Sequence, residues 1–67
     1  MSVKVKVNGK EETLPEALTI EEYLEKRSVQ REVIAAHNGE VVDKDRWSKV
    51  ILEDGDSLEI IKIVGGG

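Results

Sequence analysis

Valines alternate with lysines at the front of the chain: Val3, Val5 and Val7 are separated by Lys4 and Lys6. A period of two in β-branched residues is the pattern of a half-buried strand. Asn8-Gly9 follows directly. Both central positions of a type I′ turn need positive φ, which Asn and Gly tolerate, so this pair predicts a hairpin. In the second arm, Lys10 to Leu14, only Leu14 is apolar. Its charged residues suit an edge strand, where they discourage pairing with another molecule. Pro15 closes it.

A helix is predicted next. Thr19 with Glu22 three residues on forms a capping box, and Leu18 and Tyr23 sit where a hydrophobic staple places them. Glu21, Glu22 and Glu25 precede Lys26 and Arg27, the charge order a helix dipole favours. Ile20, Tyr23 and Leu24 share one face with the stem of Arg27, over about two to three turns. A polar break from Ser28 to Glu32 then leads to the apolar run Val33 to Ala36. After His37, Asn38-Gly39 predicts a second hairpin, with Val41 and Val42 in its return arm. Asp43 to Lys49 reads as a loop or a single helical turn that drops Trp47 onto the core. Val50 to Leu52 reads as a short strand, Asp54-Gly55 as a turn, and Ser57 to Val64 as the last and longest strand.

Hairpin, helix, then further short strands define an α+β class. The helix supplies the crossover that a strand parallel to the first requires. The expected fold is a β-grasp: a mixed sheet of four to five strands with one crossing helix and a flexible C-terminal glycine tail. Residues 1–64 form the domain and 65–67 the tail. Strand order is not readable from the pattern.

Composition restricts what such a domain does. At 67 residues it has room for one small core. There is no cysteine, which excludes disulfides, Cys-based zinc sites and thiol nucleophiles, and the lone histidine, His37, does not make a ligand set. Ten basic residues against fourteen acidic ones give a net charge of −4, with no basic cluster to replace phosphate counterions, so no nucleic-acid role is expected. No apolar run approaches the ~20 residues that span a bilayer. A cytoplasmic monomer without membrane contact, metal, bound cofactor or catalytic residues of its own is the expectation, since so short a chain has little material for an enclosed polar pocket.

The C-terminal glycines add nothing to a core and are the most costly residues to order. Their absence of side chains suits a segment that threads a narrow channel and presents a carboxylate to another protein. Ile60, Ile61, Ile63 and Val64 place apolar groups on both faces of the last strand. One face meets the helix; the other is a candidate docking patch of Ile61, Ile63 and Val64, unless a loop residue such as Trp47 folds over it. The acids Glu53, Asp54, Asp56 and Glu59 either steer encounter with a basic partner or form a solvated turn.

Asn38-Gly39-Glu40-Val41-Val42, Arg46-Trp47, Leu52 to Ile60 with its Asp54-Gly55-Asp56 centre, and Val64-Gly65-Gly66-Gly67, in that order, resemble the ThiS family. The front, Val5 to Gly9 and Leu14 to Thr19, is similar in type, so the resemblance covers essentially the whole chain. Ser28, where many members carry glycine, and His37 depart from the family pattern, and neither touches the tail. The resemblance implies a ubiquitin-like sulfur carrier of thiamin biosynthesis that is a co-substrate rather than an enzyme. A ThiF-type enzyme, using ATP and magnesium, would adenylate the Gly67 carboxylate. Sulfur from a cysteine desulfurase or a rhodanese-type donor would convert it to a thiocarboxylate for thiazole synthase (ThiG). Gly65, Gly66 and Gly67 would enter the partner active sites. The small subunit of molybdopterin synthase, a ubiquitin-like protein modifier and an inert β-grasp interaction module are the alternatives.

Overall fold

The computed structural model describes residues 2–27 and 32–63. Five strands, β1 (Val3–Val7), β2 (Lys10–Leu14), β3 (Val33–His37), β4 (Glu40–Val42) and β5 (Ser57–Lys62), form one sheet in the order β2-β1-β5-β3-β4. β1 and β5 are parallel and the other pairs antiparallel. One helix, α1 (Ile20–Lys26), packs on one face. This is the β-grasp topology, with charged β2 at an edge.

Local chemistry explains the elements. The capping box at Thr19 is complete: the Glu22 N–H donates to Thr19 Oγ1 at 3.1 Å, and the Thr19 N–H donates to Glu22 Oε1 at 2.9 Å. Asn8 and Asn38 both have φ of 51°, with Gly9 and Gly39 at 84° and 87°, as type I′ hairpin turns require. Each asparagine has a second role. Asn8 Oδ1 accepts the Ile60 N–H at 2.8 Å, and Asn38 Oδ1 accepts the Ser57 N–H at 2.8 Å. Both hairpin turns are thereby stapled to β5. The Asp54-Gly55 turn does the same for β1, with the Lys4 N–H donating to Asp54 Oδ1 and the Gly55 N–H to the Lys4 carbonyl.

The core lies between the sheet and α1: Val5, Val7, Leu14, Leu18, Ile20, Tyr23, Leu24, Val33, Ala35, Trp47, Leu52 and Leu58 are all buried. A 3₁₀ turn at Lys44–Arg46 brings Trp47 into it, where the indole N–H donates to the Val42 carbonyl at 2.9 Å. Trp47 therefore does not cover the other face of the sheet. The expected strand at Val50 to Leu52 is a single bridge, Thr19 to Ile51. Its backbone bonds go instead to the approach to the helix: the Ile20 N–H donates to the Val50 carbonyl and the Leu52 N–H to the Leu18 carbonyl. The apolar run there buries Leu52 in the core rather than extending the sheet.

Candidate functional site

Strand alternation divides the sheet cleanly. Val33, Ala35, Val42, Leu58 and Ile60 point toward α1 and are buried or half-buried. Their neighbours Ile34, Ala36, Val41 and Ile61 therefore point to the bare face. Ile34 lies directly opposite Ile61 across the β3–β5 pair, and Ala36 lies opposite Val41 across β3–β4. Ile61 is 57% exposed, Val41 69% and Ile34 38%. Ile63, 49% exposed, follows Ile61 two residues on. A β-branched apolar patch is thus exposed beside the strand that leads into the glycine segment.

Sequence reasoning singled out Ile61 and Ile63 for this patch and missed Ile34 and Val41. The alternation of Ile34 with buried Ala35 signals that Ile34 faces away from the core, but only the register shows it abutting Ile61. Val64, Gly65, Gly66 and Gly67, together with the 64/65 boundary, lie outside the described residues, as does Ser28.

β5 is held from both sides as far as Ile60, and on the β3 side up to the last described residue. On the β1 side, the Lys6 N–H donates to the Asp56 carbonyl and the Asn8 N–H to the Leu58 carbonyl, both at 2.9 Å. The Asn8 side chain continues that ladder past the turn. On the β3 side the pairing runs from Leu58 opposite His37 to Lys62 opposite Val33, and the Ile63 N–H still donates to the Glu32 carbonyl at 3.1 Å.

At the other end of β5 a histidine–carboxylate hydrogen bond ties the turns together. His37 Nε2 lies 2.7 Å from Asp56 Oδ2, with side chains 22% and 16% exposed. Asp56 Oδ2 also accepts the Glu53 N–H at 2.9 Å, and its Oδ1 accepts from Asn38 Nδ2 at 3.3 Å. Burial alone would raise the Asp56 pKa, but these three donors together outweigh it and hold the carboxyl below its ordinary value. Asp54 and Asp56 thus serve the turn, while Glu53 and Glu59 remain exposed. Among the described residues no three His, Cys, Asp or Glu side chains cluster to hold a metal ion. No described helix is long and apolar enough to cross a membrane.

A mixed five-stranded sheet with one helix across it, and a bare apolar face beside a strand that runs toward a glycine-rich end, is a ubiquitin-like β-grasp domain. The chain belongs to the ThiS family, whose model matches residues 3–67. A crystal structure of the thiamine biosynthesis protein ThiS from Geobacter metallireducens superposes with a TM-score of 0.84 at 32% identity, covering 97% of this chain and all of that one. A solution NMR structure of a thiamine biosynthesis protein from the same organism gives a TM-score of 0.80 at 32% identity, covering 97% of this chain and 88% of that one. A thiazole synthase of Paramagnetospirillum magneticum is 36% identical over 66 residues, which cover 97% of this chain. The chain spans 20% of the length of that relative.

Proposed function

We propose that the chain is a sulfur carrier for thiazole formation in thiamin biosynthesis, with Gly67 as the reacting residue through its α-carboxylate. The observation that carries this reading is the family match extending through residue 67 on a β-grasp domain. A carboxylate resists nucleophiles, so it must first gain a leaving group. Its oxygen attacks the α-phosphorus of ATP on a ThiF-type enzyme, releasing pyrophosphate and forming an acyl-adenylate. The terminal sulfur of a donor persulfide, on a cysteine desulfurase or rhodanese-type protein, then displaces AMP. A thiol opens the resulting acyl disulfide to leave the thiocarboxylate. Magnesium and ATP belong to the partner's site. The similarity to a thiazole synthase supports ThiG as the acceptor of the sulfur. No side chain of this chain takes part in bond making, so it acts as a co-substrate, in the cytoplasm and as a monomer when free.

The bare-face patch is the docking surface for the adenylating enzyme in this reading. Ile61 and Ile63 lead directly to Val64 and the glycines, so a partner gripping them holds the base of the segment it must thread.

Intact mass after incubation with a ThiF-type enzyme, ATP, magnesium and a persulfide donor tests the proposal. A gain equal to the exchange of one oxygen for one sulfur, absent from a copy lacking Gly67, is expected. No gain with an enzyme active on its own carrier would overturn it. Transfer to a pterin precursor instead of thiazole would favour the molybdenum-cofactor alternative.

A further inference from the structure

The sheet carries a second unfilled region, on the side opposite the bare face. Side chains of directly paired residues point to the same side. Val7 is buried on the helix side, so its partner Lys10 points there too. The same argument places Lys62 on the helix side through buried Val33, and Ile60 through buried Ala35. α1 is only seven residues long and ends at Lys26. Beside its last turn these strands and the helix bound an open groove of about 350 Å³. Val7, Ile60 and Tyr23 form its apolar wall, and Lys10, Arg27 and Lys62 stand around it.

Charge is reversed here relative to the protein as a whole, which carries −4. The groove's one acid, Glu12, is already engaged: Arg27 Nη2 donates to its Oε2 at 2.6 Å and the Tyr23 hydroxyl to its Oε1 at 3.0 Å. Lys10 and Lys62 make no ion pair among the described residues. Asn8 also lines the groove, and its Oδ1 is taken by the Ile60 N–H, so the side-chain NH2 is what it has left to offer. Two ammonium groups and an amide donor therefore surround an apolar wall. A small molecule is normally held by burial of most of its surface. This groove is open along one side, which suits an extended chain.

We infer that the groove binds an acidic segment of a protein partner, seating one aliphatic side chain on Ile60 and the exposed margins of Val7 and Tyr23 while flanking carboxylates meet Lys10 and Lys62. Lys62 is the last residue of β5 and Ile63 follows it, so the groove and the bare-face patch flank the same strand from opposite sides. A partner that engages both would clasp the base of the glycine segment. The groove's chemistry requires neither adenylation nor sulfur.

The test is a titration of ¹⁵N-labelled protein with the capped peptide Glu-Asp-Leu-Glu-Asp, beside the same peptide with Gly for Leu and beside inorganic phosphate. Amide shifts confined to residues 7–12, 23–27 and 58–62 are expected, weakening with added salt. Lys10→Gln and Lys62→Gln should each weaken binding about two- to fivefold, the size of one exposed ion pair. Lys4→Gln, on the bare face, should leave it unchanged. Absence of shifts, shifts centred on Ile34 and Ile61, or equal shifts from the Gly peptide or phosphate would overturn the inference; the last would mean unspecific anion adsorption. The mass assay for the thiocarboxylate is independent of this titration, so failure of one is distinguishable from failure of the other.

Discussion

Asn8 joins backbone conformation to sheet assembly, and its two contributions can be separated by substitution. Its φ of 51° is a left-handed conformation that Asn and Gly accept. Its Oδ1 accepts the Ile60 N–H at 2.8 Å, replacing the backbone carbonyl that turns away at the hairpin. Asn8→Gly keeps the turn and removes the acceptor. The lost bond costs about 0.5–1.5 kcal/mol net. The extra freedom of glycine in the unfolded chain adds about 0.4–1 kcal/mol. The total, roughly 1–2.5 kcal/mol, corresponds to a fall in Tm of about 7–18 °C for a domain this small. Asn8→Asp retains both an acceptor and tolerance of positive φ, and should stay within about 0.5 kcal/mol of the parent protein. Asn8→Ala loses the bond and adds left-handed strain of about 1–2 kcal/mol, so it should be the least stable of the three. Urea unfolding followed by fluorescence of Trp47, the single tryptophan and 8% exposed, reads the series directly. The slope of free energy against urea should be unchanged, because none of the three substitutions alters the surface exposed on unfolding appreciably. Asn8→Gly as stable as the parent, or Asn8→Asp as damaged as Asn8→Gly, would refute the stapling role.

Four further outcomes follow from the same geometry. Asp56 has a depressed folded pKa, so its contribution is fully present above the unfolded value of about 3.9 and is lost as pH falls through the folded one. Urea midpoints should accordingly show the parent's advantage over Asp56→Asn persisting at neutral pH and shrinking only in acid; an advantage independent of pH down to the acid limit would refute the charge-based account. Leu58→Ala removes a fully buried side chain of the central strand and should cost about 2–5 kcal/mol, a large part of the roughly 3–10 kcal/mol a 67-residue domain commands, as seen by calorimetry. Ile61→Glu, at an exposed position, should change stability by less than about 0.5 kcal/mol yet raise the KM of adenylation, whereas unchanged kinetics would remove the bare face from the docking surface. Glu12→Gln, which removes the charge from a partly exposed pair with Arg27, should cost under about 1 kcal/mol and cost less at high salt.

Much of the fold was legible because its decisive signals are local. Positive φ at Asn8-Gly9 and Asn38-Gly39 is a property of the residues themselves, and the capping box spans only Thr19 to Glu22. What was not legible depends on which distant segment a residue meets. The apolar run at Val50 to Leu52 announces burial correctly, but its hydrogen bonds go to Leu18 and Ile20 instead of to a strand, so its conformation was misread. Ile34 and Val41 join Ile61 only once the β3–β5 and β3–β4 registers are set. Lys10, Arg27 and Lys62, drawn from two strands and the end of a helix, look like scattered solvated charges until the fold gathers them. His37 likewise looked solitary, because its carboxylate partner lies nineteen positions away at Asp56.

The position of β5 in the sheet bears on why this scaffold suits a carrier. An edge strand would leave the base of the glycine segment paired on one side and free to fray on the other. β5 instead runs between β1 and β3, and two asparagine side chains add bonds at Ser57 and Ile60 where the hairpin turns would otherwise interrupt the pairing. The β3-side bonding then persists through Ile63. A partner that threads the residues beyond Ile63 would pull against a strand anchored on both sides for most of its length. Confining three glycines in a partner's channel is entropically expensive, and a base anchored through Ile63 limits that cost to the residues beyond it. Loosening the base through Asn8→Gly should therefore weaken productive engagement even with residues 61–67 unaltered. In the adenylation proposed above, that effect should appear in KM and not in kcat, because the substitution leaves the carboxylate unchanged once it is seated.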